Sequence, residues 1–347
     1  MQIQEVIPPI IKDEIAFISP KHPALAFCEA KFWIVTDEKG KTVGRIGAIV
    51  NHAYNKKMKD KIGRFSKLEF VDNQEVYDLL MRTATAWLKS QGMTTLLGPL
   101  GYTNLDNQGL LIEGFEYLAS IASVYHLPYY QAYIEKDGFE KDNDWLEFHL
   151  KLSDRVVNKA KRGAVLIQKR FGFQVKHFKS NDEIKPYVKA IFNIVNQSFD
   201  RLHYVSPFND ALIEEYTKKY FNVLNPKFVK LVLREDQVIG FLIAVPSLSK
   251  AMQKANGKLF PLGFTHVLKA IKKNDLLDFF LTGVLPKYEH AGVPVLLFDA
   301  IHDEMLAAGI NDMETTGVFE DNHHVITNWK NYQPIQHKRR RCYVKKL

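Results

Sequence analysis

The stretch that decides the fold begins with Leu276-Leu277-Asp278-Phe279-Phe280-Leu281, an apolar run that predicts a buried strand. The turn Val284-Leu285-Pro286-Lys287-Tyr288-Glu289-His290-Ala291-Gly292-Val293-Pro294 follows it. Apolar residues at helical spacing then continue from 296 to 308 and stop at Gly309, and a short strand is predicted near 313–318. A strand, a tight turn and a helix in this order present a helix N-terminus to an anion. The pattern therefore predicts an α/β layer with an anion-binding turn.

A second copy of this pattern is present in the first half of the chain. Strand-like runs at 31–36 and 42–50 form a hairpin, and the runs at 228–233 and 238–245 repeat it. In both copies a further strand and a helix that stops at a glycine follow, and this glycine is Gly92 in the first copy. A duplicated unit explains these matches. We therefore expect an α/β fold with mixed sheets and two domains, residues 1–153 and 154–347.

The bulk composition agrees with two globular domains. The chain has 347 residues, which is longer than the chains that usually fold around a single hydrophobic core, and 46% of its residues are hydrophobic. Its net charge of +8 favours anionic partners such as phosphates. The basic residues cluster at 155–170 and 338–346, which we expect to be solvated faces. Nucleic acid is therefore not the partner that we expect.

The sequence also predicts a cellular compartment. Cys28 and Cys342 lie far apart without a spacing partner, which favours a reducing environment and a packing role for both. The first residues lack the basic start and apolar block of a signal peptide. The longest apolar run, 238–245, has the length of a strand and is too short to cross a bilayer. We expect a cytoplasmic protein without membrane contact.

Each half carries an insertion relative to the other. In the first half, residues 98–109 are rich in glycine and asparagine, which predicts an ordered loop at the surface. In the second half, residues 247–273 contain helical patterns interrupted around Gly257-Lys258-Leu259-Phe260-Pro261. These two segments are the places where the halves differ most.

The spacing Val284-x-Pro286-x-Tyr288-x-x-x-Gly292-Val293, followed by a helix and by Asn322, resembles the acyl-CoA-binding core of the GCN5-related N-acetyltransferase (GNAT) superfamily. Ile134-Glu135-Lys136-Asp137-Gly138-Phe139 is similar to a segment common near the end of such domains. Together with the repeat, the resemblance covers nearly the whole chain. The loop at 98–109 and the segment Gly257-Lys258-Leu259-Phe260-Pro261 resemble those of a tandem-GNAT group of bacterial acetyltransferases. The resemblance implies two tandem GNAT-like domains, with acetyl-CoA or another acyl-CoA bound by the C-terminal half.

The resemblance also implies which residues contact the acyl-CoA. These cofactor-binding residues are Val284, Leu285, Tyr288, His290, Ala291, Gly292, Val293 and Asn322. Asn322 is also a good helix N-cap, which is an equally suitable role. Two departures weaken the match, because Glu289 brings a carboxylate to the turn and Pro294 removes one N–H group from it. The corresponding turn of the first half, 70–75, has no glycine, and we interpret that half as having lost its cofactor site.

Acyl transfer to an amine needs a proton acceptor and a proton for the leaving thiolate. Glu314 and Glu320 are the candidate bases, although surface carboxylates at these positions would need no catalytic role. The resemblance aligns the family's thiolate-protonating tyrosine with Trp329, and we expect Tyr332, or Tyr288, to replace it. No metal is expected, since His323-His324 and His302-Asp303-Glu304 lack the spacing of zinc ligands.

The acceptor side is expected at two loops. His203 and Tyr204 lie where GNAT enzymes meet their acceptor, and Tyr102 and Asn104 belong to the glycine-rich loop. The function that the resemblance implies is acyl-CoA-dependent transfer of an acetyl group to a small-molecule or peptide amine. One alternative is a non-catalytic tandem GNAT-fold protein that binds a ligand or a partner. Another is an aminoacyl-tRNA-dependent peptidyl ligase, which the positive charge favours weakly.

Overall fold

Thirteen strands form one continuous mixed sheet in the computed structural model, which describes residues 5–347 apart from the side chain of Asn222. The strands are β1 Cys28–Thr36, β2 Thr42–Asn51, β3 Ile62–Phe70, β4 Thr95–Gly98, β5 Leu110–Glu113, β6 Glu140–Lys151, β7 Gln174–Lys176, β8 Val229–Arg234, β9 Gln237–Pro246, β10 Leu276–Val284, β11 Asp312–Thr315, β12 Val318–Phe319 and β13 Ile335–Lys346. The principal order is β1-β2-β3-β4-β13-β6-β11-β10-β9-β8-β7, while β5 pairs with β13 and β12 pairs with β6.

Helices cover the sheet and connect its strands. They are α1 Ile11–Phe17, α2 His52–Met58, α3 Gln74–Ser90, α4 Tyr129–Lys136, α5 Asp154–Phe171, α6 Val188–Ser198, α7 Asp210–Tyr220, α8 Ser249–Ala255, α9 Gly263–Lys272, α10 Val293–Ala308 and α11 His323–Asn328. A short 3₁₀ turn, Pro286–Tyr288, precedes α10, and another, Trp329–Tyr332, follows α11.

The duplication predicted from the sequence is confirmed. Hairpin β1–β2 and hairpin β8–β9 are both antiparallel. Each is followed by a strand, a long helix and a second strand parallel to the first, which gives β3-α3-β4 in one half and β10-α10-β11 in the other. The helix α10 ends at Gly309, whose left-handed backbone satisfies the C-terminal carbonyl groups. The fold is therefore two related α/β units joined edge to edge.

The last strand of each half crosses to the other half. Strand β6 pairs with β11 and β12 of the second half, whereas β13 pairs with β4 and β5 of the first. The two crossing strands also pair with each other along most of their length. The halves thus share one sheet, with β13 and β6 at its centre, and the chain position near 153 does not divide it into two sheets.

The C-terminal basic cluster is not a solvated face, so this expectation was wrong. Residues 338–346 belong to β13, and Lys338 and Arg340 are buried at the centre of the sheet. The reason is pairing, since Glu147 on β6 lies 2.8 Å from Arg340 Nε and 3.2 Å from Lys338 Nζ. Buried charges are tolerated when opposite charges and hydrogen bonds accompany them.

The glycine-rich segment 98–109 is likewise not a surface loop. Leu100, Tyr102 and Thr103 are each about 1% exposed. The main-chain carbonyl groups of the segment receive hydrogen bonds from buried side chains of the first half, since Asn51 donates to Tyr102 O and Arg64 to Gly101 O. These donors remove the cost of burying a polar loop. The segment therefore forms part of the interior on which the second half packs.

Candidate functional site

A cavity of about 200 Å³ lies where β10 and β11 diverge. The two strands pair only between Leu276–Phe279 and Asp312–Thr315, and β10 bulges after Phe279. The walls of the cavity are mostly apolar, and its aromatic members are Trp145, Phe199, Phe279, Phe280, Phe298, Phe319 and Trp329. An opening of this kind between two strands is suited to an extended, largely apolar ligand.

The cavity is lined from both faces of the sheet. A Cβ atom at Gly240 would touch Val293 of α10, and one at Gly283 would touch Ile194 and Ser198 of α6. Gly283 of β10 pairs with Phe241 of β9, so these two residues face the same side of the sheet. Gly240 precedes Phe241 on β9 and therefore faces the opposite side, because neighbouring residues of a strand point to opposite faces. Helices α6 and α10 thus lie on opposite faces. Phe298 of α10 and residues that follow α6 both line the cavity, which therefore passes through the sheet.

The predicted anion-binding turn opens α10. Gly292 has a φ of 76°, a left-handed conformation that favours glycine, and it caps the helix. A side chain there would also approach Ile167 of α5 to 2.5 Å, so α5 covers one side of the turn. His290 is exposed, and its ring lies 6.5 Å from that of His324. The turn thus combines a permissive backbone with two nearby imidazoles.

The other predicted cofactor residues have different surroundings. The Leu285 N–H group donates to Ile239 O over 2.9 Å, and Val284 pairs with Gly240. Tyr288 and Val293 are buried in the core, and Ala291 N–H donates to Tyr288 O. Asn322 lines the cavity and accepts a hydrogen bond from Val325 N–H over 3.3 Å. Asn322 is thus both an N-cap, as expected, and a cavity residue.

Glu314 lies in a buried ionic cluster on one face of the sheet. Its carboxylate is 3.5 Å from His337 Nε2 and 3.8 Å from Lys338 Nζ. Burial raises the pKa of Glu314, but His337 and Lys338 outweigh this effect and hold it below its ordinary value. Glu314 is therefore an ionised carboxylate at neutral pH.

Asp278 is the neighbour of Glu314 in the parallel pairing of β10 and β11. Its side chain is buried, and neither carboxylate oxygen has a hydrogen bond of normal geometry among the residues that the structure describes, although the Ser247 hydroxyl is close enough to favour the charged form. Burial and the negative charge of Glu314 raise the pKa of Asp278 to about 8. Phe279 and Phe280, the next residues on β10, line the cavity. Asp278 was not selected from the sequence, because it lies inside an apolar run. A single carboxylate within a predicted buried strand is nevertheless a signal that could have indicated a functional residue.

Two further residues connect this cluster to the cavity. Arg340 donates to the main-chain oxygen of Gln108, which lines the cavity, and its guanidinium lies over the Trp145 ring. Glu147 pairs with both Arg340 and Lys338. The sequence did not indicate this cluster because its members come from strands that are distant in the chain and meet only through the crossing of β6 and β13.

The remaining candidate catalytic residues lie elsewhere. Glu320 is bound at the surface by Lys141 at 2.5 Å and Arg339 at 3.5 Å. The Tyr332 hydroxyl is buried and lies 3.0 Å from His302 Nε2. Trp329 lines the cavity, and its indole N–H has no partner within the described part of the chain. Of these three residues, only Trp329 contacts the cavity.

The predicted acceptor residues are distributed between the cavity and its surroundings. Asn104 lines the cavity. Tyr102 is buried and stacks on His22 with ring centroids 4.5 Å apart. Tyr204 is buried and donates its hydroxyl to Asp142, while the neighbouring His203 is exposed and pairs with Asp321 at 2.8 Å. Asn104 is the member of this set best placed to contact a ligand.

Neither a metal cluster nor a membrane-crossing helix is found within residues 5–347. No group of three or more metal-ligating side chains has a suitable arrangement in that part of the chain. No helix there has both the length and the apolar content needed to cross a bilayer.

Comparison with known proteins relates this geometry to a fold. No family model matches the sequence. Protein YghO of Escherichia coli (strain K12) is 24% identical over 348 residues, which cover 98% of this chain and 88% of that protein. A bacterial ceramide synthase of Caulobacter vibrioides is 22% identical over 356 residues, which cover 98% and 90% respectively.

Solved structures share the architecture. A tandem GNAT protein from the clavulanic acid biosynthesis pathway matches 97% of this chain and 92% of its own, with a TM-score of 0.51 and 11% identity. A GCN5-related glucosamine N-acetyltransferase region of a fungal multi-domain GH3 β-N-acetylglucosaminidase matches 91% of this chain and 33% of its own, with a TM-score of 0.55 and 13% identity. The chain therefore has the tandem fold of the GCN5-related N-acetyltransferases.

Proposed function

We propose that the protein is an N-acyltransferase that transfers a long acyl chain from an acyl-CoA to the amine of an apolar acceptor. The observation that carries the proposal is the apolar cavity that passes through the sheet between β10 and β11. An acetyl group would leave most of its aromatic wall without contacts, whereas the first methylene groups of a longer acyl chain would fill its volume of about 200 Å³ and the rest of the chain would extend beyond it. The name of the Caulobacter relative supports an apolar acceptor, since a ceramide is the N-acyl derivative of a long-chain amine.

The donor is proposed to bind with its phosphates at the turn before α10. Gly292 keeps the backbone open, and His290 and His324 supply groups that can donate to phosphate oxygens. The pantetheine arm would then run past Asn322 to the gap between the strands. Pro294 offers no N–H group, so this turn would hold phosphate with fewer main-chain donors than the family's usual turn.

The chemistry requires movement of one proton. The amine nitrogen attacks the thioester carbon, the C–S bond breaks, and the nitrogen loses a proton. We propose that the Asp278–Glu314 pair accepts this proton from the amine and then gives it to the leaving thiolate, so that no net proton is gained or lost. A carboxyl group with a pKa of about 8 can exchange a proton near neutral pH, which an ordinary aspartate cannot. Asp278 is the base that we favour, because Phe279 and Phe280 next to it on β10 line the cavity, and the negative charge of Glu314 raises its pKa. Neither carboxylate itself lines the cavity, so the proton would have to reach Asp278 indirectly. Glu320 and Tyr332 have surface and core partners respectively, which leaves them outside this proposed route.

The test is the dependence of turnover on acyl length. The full chain is assayed with acetyl-, octanoyl- and palmitoyl-CoA and a long-chain primary amine, and amide formation is measured by mass spectrometry. Each methylene group that enters the cavity should contribute about 0.8 kcal/mol, or about a fourfold gain in kcat/KM, until the cavity is full. Equal or better turnover with acetyl-CoA would refute the long-chain donor.

A cavity variant and its control sharpen the test. Leu202→Trp fills the cavity from the side of α6 and should move the preference toward octanoyl-CoA. Leu166→Trp alters a leucine that is 67% exposed on α5 and should leave the preference unchanged. An equal shift in both variants would mean that the cavity does not receive the acyl chain.

One observation favours a non-catalytic alternative. The sequence resemblance aligns Trp329 with the family's tyrosine, and an indole N–H does not supply a proton to a thiolate. A protein that only binds an acyl-CoA or a lipid would need the cavity but would not catalyse acyl transfer. It would show an increase in melting temperature with palmitoyl-CoA and no amide product with any amine tested.

A further inference from the structure

The insertion of the second half has an unusual charge pattern. Between 247 and 274 the sequence contains six lysines and no aspartate or glutamate. The segment folds as a helical hairpin of α8 and α9 between β9 and β10. All six lysines are exposed, namely Lys250, Lys254, Lys258, Lys269, Lys272 and Lys273. The hairpin is therefore a strongly positive projection on the second half.

Large apolar side chains are exposed at the tip of the same hairpin. Phe260 is 83% and Leu262 is 70% exposed, and they lie in the turn between α8 and α9. Phe264 and Leu268, one helical turn apart on α9, are 43% and 49% exposed. Their exposure to water is unfavourable for an isolated protein, and an apolar group at an exposed tip is typical of an interaction site.

Helix α1 extends this apolar surface. Ile11 N–H donates to Gly257 O over 3.1 Å, so α1 lies beside the hairpin. Ile11, Ile15 and Ile18 are each about half exposed or more. The two acids of α1 are paired, because Glu14 contacts Arg45 and Lys67, and Asp13 lies 3.6 Å from Lys219. The surface of α1 and the hairpin thus combines apolar side chains with uncompensated lysines.

We infer that α1 and the α8–α9 hairpin bind the surface of an anionic bilayer, with Phe260 and Leu262 inserted between the lipids. Apolar and aromatic residues enter the boundary between headgroups and acyl chains, while lysines attract anionic headgroups. A second copy of this chain fits less well, since a symmetric contact would bring two positive surfaces together. This inference replaces the expectation of no membrane contact, which rested on the lack of a spanning segment. It holds whether or not the protein transfers acyl groups.

The hairpin also lies next to the cavity. Its inner side packs through Met252 and Val267 in a buried cluster with Val245. Phe280 packs against this cluster and also lines the cavity. Binding of the hairpin to a bilayer would therefore bring the lipid close to the cavity. A long-chain ligand could then move from the bilayer to the cavity across only a short distance in water.

The test is flotation of the full chain with vesicles. One set contains phosphatidylcholine alone, and the other contains equal amounts of phosphatidylcholine and phosphatidylglycerol. We expect binding to the anionic vesicles that weakens with salt, and a drop of about tenfold or more in the variant Phe260→Ser/Leu262→Ser. The variant Lys269→Glu/Lys272→Glu should lose at least as much. Both pairs are exposed, so circular dichroism and melting should match the unchanged protein.

A matched control distinguishes specific binding by this surface from nonspecific adsorption to the vesicles. Ile34 on β1 is 66% exposed in the other half of the sheet, and Ile34→Ser should bind vesicles as the unchanged protein does. The inference is overturned by no flotation with either vesicle, by equal flotation with both, or by a control that loses as much binding as Phe260→Ser/Leu262→Ser. Because no substrate is present, a failure here is distinct from a failure of the proposed acyl transfer.

Discussion

Replacing Asp278 by Asn should make the protein more stable at pH 8 while abolishing acyl transfer. Asparagine has nearly the shape of a protonated aspartate, but it cannot ionise and cannot accept the proton of the amine. The Asp278 side chain is buried without a hydrogen bond of normal geometry among the described residues. Its ionisation is therefore a cost to the folded state, and the variant removes this cost.

The structure sets the size and the sign of the effect. Burial and the Glu314 carboxylate raise the pKa of Asp278 from 3.8 to about 8. Because the folded protein holds the Asp278 proton more tightly than the unfolded chain does, protonation of Asp278 stabilises the folded state. This stabilisation is complete below pH 3.8, the pKa in the unfolded chain, and is lost as the pH rises to the pKa in the folded protein. Each pH unit in this window is worth about 1.4 kcal/mol. The free energy of unfolding should therefore fall, relative to the variant, by about 4 kcal/mol between pH 5 and pH 8.

Urea unfolding at several pH values measures this difference. The gap between Asp278→Asn and the unchanged protein should widen with pH and become constant above pH 8. The control is Asp275→Asn, because Asp275 is exposed three residues earlier and its removal should leave the pH profile as it is. A gap that is the same at pH 5 and pH 8 would refute the reasoning, since it would mean that Asp278 ionises in the folded protein as easily as in the unfolded chain.

Three further predictions concern the shared sheet and a buried hydrogen bond near it. Arg340→Met should cost about 3–5 kcal/mol of unfolding free energy in urea, because it leaves Glu147 underpaired, and adding Glu147→Gln should restore part of this loss. Tyr332→Phe removes a buried hydrogen bond and should cost about 1 kcal/mol with kcat within about twofold, whereas a large fall in kcat at normal stability would assign the hydroxyl to the chemistry. The fragments 1–153 and 154–347 should each fail to give a cooperative thermal transition alone and should copurify when produced together, and a folded fragment 154–347 would contradict the shared sheet.

The repeated units could be predicted because their signals are local. A hairpin needs two apolar runs and a turn, and a helix that stops at Gly309 is marked by its spacing and its glycine. The turn at Gly292 was recognisable for the same reason, since the positive φ that the fold needs there favours glycine. These features depend on residues within a few positions of each other, and both halves of the chain carry the hairpin and the helix that stops at a glycine.

The central strand β13 could not be predicted from its own residues. Its sequence, Ile335–Lys346, is rich in lysine and arginine and has the composition of a solvated segment. Its burial depends on the acids of β6, which are almost two hundred positions away in the chain. The segment 98–109 was misjudged in the same way, because Asn51 and Arg64, which satisfy its carbonyl groups, do not adjoin it in sequence. Long-range pairing decided both cases.

The crossing of β6 and β13 also explains why the candidate site needs the complete chain. Glu147 comes from the last strand of the first half, and Lys338 and Arg340 from the last strand of the second. Either half alone would have to bury one sign of charge without the other, at a cost of several kcal/mol per ion. Asp278 and the cavity adjoin this cluster: burial and the carboxylate of Glu314 raise the pKa of Asp278, and Glu147 of the first half adds to this effect. The duplication thus provides more than a second copy, because the first half supplies Glu147, the partner of Lys338 and Arg340, and part of the cavity wall.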